Sequence, residues 1–236
     1  MKNLTINEAE ALAGQFRYNA NLSLTEPINV KTLIRKLGIT AVYRPLSEKS
    51  YGIACESGTG KKFILINSNS TRGRQHFTVV HELYHLFFED QSVPHMCGRH
   101  PLSEEKNANK FASALLMPRE GVLSMISPEE ISGHDIRLAT VLRMEQYFGV
   151  SRNTLLIRLK DIGLISQQRL NELDAIPVKE SALSYGYDLS LYEKGNEGLV
   201  IGDFGEKARR LFEEEKISEG HYEELLNMIR DVYPKD

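Results

Sequence analysis

The sequence predicts an α+β protein: a small twisted sheet, antiparallel or mixed, packed on one buried helix, then a mostly helical half with a helix-turn-helix-like unit. Three observations carry this. Strand-like pieces rich in β-branched and aromatic residues cluster between residues 39 and 67. The run Phe77–Phe88 is apolar on nearly every side, yet it holds two histidines and a glutamate. From residue 128 onward, apolar residues recur mainly at helical spacing.

The totals narrow the function classes. A chain of 236 residues can bury a core in one or two domains. The net charge of -3, from 29 basic and 32 acidic side chains, offers no overall field for nucleic acid. Cys55 and Cys97 are too few for a disulfide framework, so a reducing compartment is expected. Residues 1–10 have no apolar signal core, and no apolar run approaches the ~18–20 residues of a membrane span. The expectation is a cytoplasmic protein.

Ala9, Leu12, Ala13 and Phe16 have helical spacing within residues 6–18. Pro27 opens a second helix with Val30, Leu33, Ile34 and Leu37 on one side and Gly38 as its stop. Strands are expected at Ile39–Tyr43, Tyr51–Cys55 and Lys62–Asn67, the last two joined by a turn at Ser57–Lys61. That turn is no phosphate loop. Cys55 stands where GxxxxGK[ST] needs its first glycine, and Lys62 replaces the Ser/Thr.

The next helix carries HExxH as His81-Glu82-Leu83-Tyr84-His85. Positions four apart share a helix face, so both imidazoles can aim at one Zn²⁺. Glu82, turned about 100° from His81, can miss the ion and still act as general base on a water. Arg72, Arg74 and His76 sit near the helix start, where positive charge opposes the dipole; a solvated face is expected for them, with contact to substrate the weaker alternative. Residues 90–102 read as a loop, in which His95, Cys97 and His100 are ligand types without a zinc-finger spacing.

Ser103 is a candidate N-cap for the helix that follows, with Ala108, Phe111, Ala112, Leu115 and Leu116 as its apolar face and Pro118 after it. Glu105 on its opening turn is assigned as the third metal ligand. Asn109, four residues on, is assigned as the partner that orients a ligand, with His81 the first choice.

The residues Arg74-x-His76-Phe77-Thr78-x-x-His81-Glu82-Leu83-x-His85, then Glu105-x-x-Ala108-Asn109-x-Phe111-Ala112-x-x-Leu115-Leu116-Met117-Pro118, resemble the ImmA/IrrE family of metallo-endopeptidases over about residues 27–165. The resemblance implies a thermolysin-like, zincin-like core with His81, His85 and Glu105 as zinc ligands and Glu82 as the base. It also implies a protein substrate, typically a neighbouring helix-turn-helix repressor or antitoxin, whose cleavage derepresses stress or mobile-element genes. Two residues depart from the pattern: Tyr84 stands where relatives commonly have Gly, and His76 where Arg is usual.

In the second half, His134–Phe148, a turn at Gly149 and a helix after Ser151 make the helix-turn-helix-like unit, with Arg152, Arg158 and Lys160 as residues that could face phosphates. A hairpin packed on the peptidase is the alternative, and the acidic total favours it. Leu170, Leu173, Ala175 and Ile176 mark a short helix, 185–198 irregular chain, and 206–215 and 218–232 two charged amphipathic helices. The expected division is a metallopeptidase core over 1–127, a helix-turn-helix-like unit over 128–165 and a helical extension over 166–236. For the oxyanion of peptide hydrolysis the donor candidates are His95, His100, His134 and Tyr84. Tyr51–Cys55 is the candidate for pairing with an extended substrate. Two rival functions are a DNA-binding regulator with a structural metal, and half of a toxin–antitoxin pair with a degenerate site.

Overall fold

The structure, a computed structural model, describes residues 3–48, 50–89, 95–98 and 103–230. Thr5 caps α1 (Ile6–Asn19), accepting from the Glu8 amide while the Glu8 carboxylate accepts from the Thr5 amide at 2.7 Å. Ala9, Ala13 and Phe16 form the buried face. Asn29 caps α2 (Val30–Lys36), which leads through Gly38 into β1 (Thr40–Arg44). β2 (Ser50–Glu56) and β3 (Lys62–Asn67) form the antiparallel pair expected around the turn at 57–61, while β1 runs parallel to β3.

The sheet has five strands in the order β4-β2-β3-β1-β5. Two of them correct the sequence reading. His95–Gly98, placed in a loop, is β4 and pairs antiparallel with β2. Val200–Ile201, within the supposed helical extension, is β5 and pairs antiparallel with β1. Both sides of β2 are therefore taken, by β3 and β4, and it has no free edge for an extended substrate. Ala41, Tyr43, Ala54, Ile64 and Ile66 are buried in the core.

α3 (Arg72–Phe88) packs on β2 and β3, and α4 (Ser103–Leu116) packs on α3 and α1. Tyr84, the bulky residue on α3, is 3% exposed and lies against the rings of Phe88 at 5.5 Å and Phe111 at 5.7 Å. That aromatic cluster also takes in Phe16, so the side chain's volume is absorbed by α1 and α4. Of the three basic residues at the start of α3, only Arg74 is exposed, and the other two are held by carbonyls. Arg72 donates to the Ser190 carbonyl at 2.9 Å, and the Gln75 amide donates to the carbonyls of Ser70 and Gly195. His76 Nδ1 donates to the Gly149 carbonyl at 2.9 Å, and burial pushes its pKa down.

The second half continues the core. α5 (Arg119–Leu123) and α6 (Pro128–Gly133) lead to α7 (Leu138–Phe148) and α8 (Arg152–Asp161). α7 begins later than expected because His134, at φ 49°, ends α6 in the left-handed region. A Cβ on Gly73 would stand 2.9 Å from the Ser151 backbone nitrogen, so glycine lets α3 pass the α7–α8 turn at near backbone contact. Both arginines that could have faced phosphates are buried, as the packed-hairpin alternative requires. Arg152, 1% exposed, pairs with Glu145 at 2.6 Å, and Arg158, 2% exposed, pairs with Glu10 at 2.8 Å and donates to the Met117 carbonyl. Arg158 thus pins α8 to α1 and to the end of α4, while Arg152 ties it to α7.

α9 (Gln167–Asp174) and α10 (Val178–Ser184) follow, and the chain returns through a 3₁₀ turn at Ser190–Tyr192 that rests on α3 before it reaches β5. α11 (Phe204–Glu213) and α12 (Glu219–Arg230) pack on each other, with Phe212 stacked on Tyr222 at 4.8 Å. No described helix is long and apolar enough to cross a membrane.

Candidate metal centre

His81, His85 and Glu105 converge. Their ligand atoms lie within 4.8 Å of one another, and all three residues are buried. His81 Nε2 is 3.1 Å from His85 Nε2 and 3.2 Å from Glu105 Oε2, and His85 Nε2 is 3.9 Å from Glu105 Oε1. The i, i+4 spacing on α3 aligns the two rings, and the first turn of α4 carries the carboxylate to them.

The outer nitrogens show which way the inner ones face. His81 Nδ1 is 3.0 Å from Asn109 Oδ1, an acceptor, so Nδ1 carries the hydrogen. His85 Nδ1 is 2.6 Å from Glu89 Oε2, which imposes the same tautomer. Both Nε2 lone pairs therefore point inward beside a carboxylate. Three electron-rich groups brought together this closely repel unless a cation sits among them. Two nitrogens bound to one tetrahedral ion at ~2.0–2.1 Å stand about 3.3 Å apart. The observed 3.1 Å needs little adjustment to accept one. The residues present fit a metal.

Asn109 occupies the orienting position the sequence suggested. Glu89 does the same for His85 and was missed, although its i+4 spacing from His85 is the same signal that joins His81 to His85. Glu82 is fully buried and is not one of the three converging groups. Its carboxylate lies over β2. A Cβ on Gly52 would come within 2.5 Å of Glu82 Oε1 and 2.8 Å of Thr78 Cγ2, so the absence of a side chain at residue 52 leaves room for that carboxylate.

A cleft of about 640 Å³ opens at this centre, lined by Tyr51, Phe77, His81, Glu105 and Asn109 and by Asn153, Thr154 and Ile157 of α8. The second helix of the helix-turn-helix-like unit thus lines the cleft, in keeping with the packed hairpin that the acidic total favours. Of the oxyanion-donor candidates, neither Tyr84 nor His134 lines it: Tyr84 is held in the aromatic cluster, and His134 is exposed at the end of α6. The side chains of His95 and Cys97, the whole of His100 and the Ser103 side chain lie outside the described residues. Tyr51, which the sequence placed on a candidate substrate-pairing strand, lines the cleft with its side chain.

A family model described as IrrE N-terminal-like domain, Peptidase_M78, matches residues 34–160, more than half of the chain. The matched span runs from α2 to α8 and contains all three converging residues. No curated protein matches the chain. The chain belongs to the Peptidase_M78 family.

Proposed function

We propose that this member of the Peptidase_M78 family is a zinc-dependent endopeptidase that hydrolyses a peptide bond in a protein substrate. The observation that carries the reading is the convergence of His81, His85 and Glu105 beneath an open cleft, within the matched span. Asn109 and Glu89 hold the two imidazoles in the tautomer that presents Nε2 inward. Zinc, when bound there, supplies Lewis acidity toward a carbonyl and brings the pKa of water toward ~7.

Glu82 takes the proton of the attacking water as oxygen bonds to the carbonyl carbon. It returns the proton to the departing amine nitrogen as the C–N bond breaks. Its burial against Gly52 and Thr78 fits a single base with few alternative positions. The substrate class rests on family resemblance: a small helix-turn-helix repressor or antitoxin encoded beside this chain, whose cleavage releases stress or mobile-element genes. A sequence with only two cysteines accords with work in the reducing cytoplasm. The DNA-binding alternative is weakened by the buried pairing of Arg152 and Arg158.

Co-incubation of the purified chain, one equivalent of zinc and the neighbouring repressor tests the reading. Mass spectrometry is expected to show two repressor fragments from one cut, and none after chelation. An intact repressor beside zinc-loaded protein would count against this substrate.

A further inference from the structure

The tetrahedral oxyanion of peptide hydrolysis needs a hydrogen-bond donor fixed in advance. The pairing of β2 with β4 places one beside the metal centre. Ser50 is opposite Gly98 and Gly52 is opposite Cys97, so β2 advances two residues where β4 advances one. Tyr51 is the extra residue of this bulge. Bulges re-aim side chains and recur beside active sites. Here the bulged residue lines the cleft together with His81 and Glu105, while its neighbour Gly52 backs the Glu82 carboxylate.

Two features prepare the Tyr51 hydroxyl. It makes no hydrogen bond to any described residue, so it is available to a substrate. The Arg74 guanidinium lies over its ring, 4.2 Å from the centroid. A cation on the ring face limits the ring's swing and draws electron density from the phenol, which strengthens O–H donation. Arg74 also stands on the first turn of α3, whose dipole adds positive potential at that end.

We infer that Tyr51 donates a hydrogen bond to the scissile carbonyl oxygen as negative charge develops on it, and that Arg74 is the positioning residue that holds the Tyr51 ring. This rests on the peptidase reading above. Removal of the donor as Tyr51→Phe keeps the ring and its cation. It is expected to lower kcat by about 10²–10³-fold, with KM changed by less than about threefold because the bond strengthens mainly in the transition state.

The test measures kcat and KM on the cleaved substrate, zinc content, melting temperature and calorimetric affinity for an N-phosphoryl-leucyl dipeptide, whose anionic oxygens mimic the oxyanion. Support is a lower kcat and a matching loss of inhibitor affinity, with zinc content and melting temperature unchanged. Arg74→Ala should reproduce part of both losses, and Arg74→Lys should recover some of them. Rates and inhibitor affinity within twofold of the parent would overturn the role of Tyr51 and leave the peptidase reading standing. A zinc-loaded parent that cleaves nothing would overturn both.

Discussion

Glu82→Gln is expected to slow peptide cleavage by about 10²–10⁴-fold, the contribution typical of a positioned general base, while zinc content stays at the parent level. The two effects separate because Glu82 is not one of the three converging groups. Glutamine matches the carboxylate in size, so the tight space against Gly52 and Thr78 stays filled and the helix keeps its place. What is lost is the ability to accept and return a proton. Steady-state kinetics together with metal analysis of the same sample checks this. A variant that cleaves at the parent rate would remove Glu82 from the reaction, and a variant that loses its metal would make it a structural support of the site.

The largest expected effect on stability is at Arg152. Its guanidinium donates to Glu145 at 2.6 Å, to the Ser181 hydroxyl at 3.0 Å and to the Ile176 carbonyl at 3.2 Å, and Tyr192 also donates to Glu145 at 2.6 Å. One buried cluster therefore ties α7, α8 and α10 to the 3₁₀ turn. Arg152→Met leaves the Glu145 carboxylate buried without its cation, a change expected to cost about 3–5 kcal/mol.

The cost depends on pH. Burial already raises the Glu145 carboxyl above its ordinary value, and Arg152 and Tyr192 pull it back down. Loss of Arg152 lets it rise further. A carboxyl that binds its proton more tightly in the folded chain adds stability below the unfolded value of about 4.3 and loses that contribution as pH climbs through the folded value. The deficit is thus larger near pH ~8 than near pH ~5. Adding Glu145→Leu to Arg152→Met should recover most of the loss, since apolar replacement of both partners of a buried pair is often neutral. Urea denaturation at the two pH values measures this. A loss below about 1 kcal/mol would mean the pair behaves like an exposed one.

The parts of the site legible in sequence are those set by spacing along one helix. His81 with His85, and Glu105 with Asn109, are i, i+4 pairs, and helix geometry makes each pair face one way. Glu89 obeys the same rule and was legible in principle. What stayed hidden depends on distant partners. β4 spans four residues and β5 two, too short for an alternating pattern, and β5 is defined by pairing with β1 some 160 residues earlier. Once β4 was taken for a loop, β2 had an apparent free edge and the bulge at Tyr51 could not be seen. The burial of Arg152 and Arg158 has no local sequence signal, because charged residues usually face solvent. Glu145 and Glu10, which bury them, lie seven residues before the one and on α1 for the other.

The central claim is that three side chains from two helices hold one divalent cation. Metal-stripped protein titrated with zinc in a calorimeter tests it most directly, with Glu105→Ala run in parallel. One ion per parent chain and a large loss of affinity in the variant are expected. Parent protein that takes up no zinc, or a variant that binds as tightly as its parent, would contradict it.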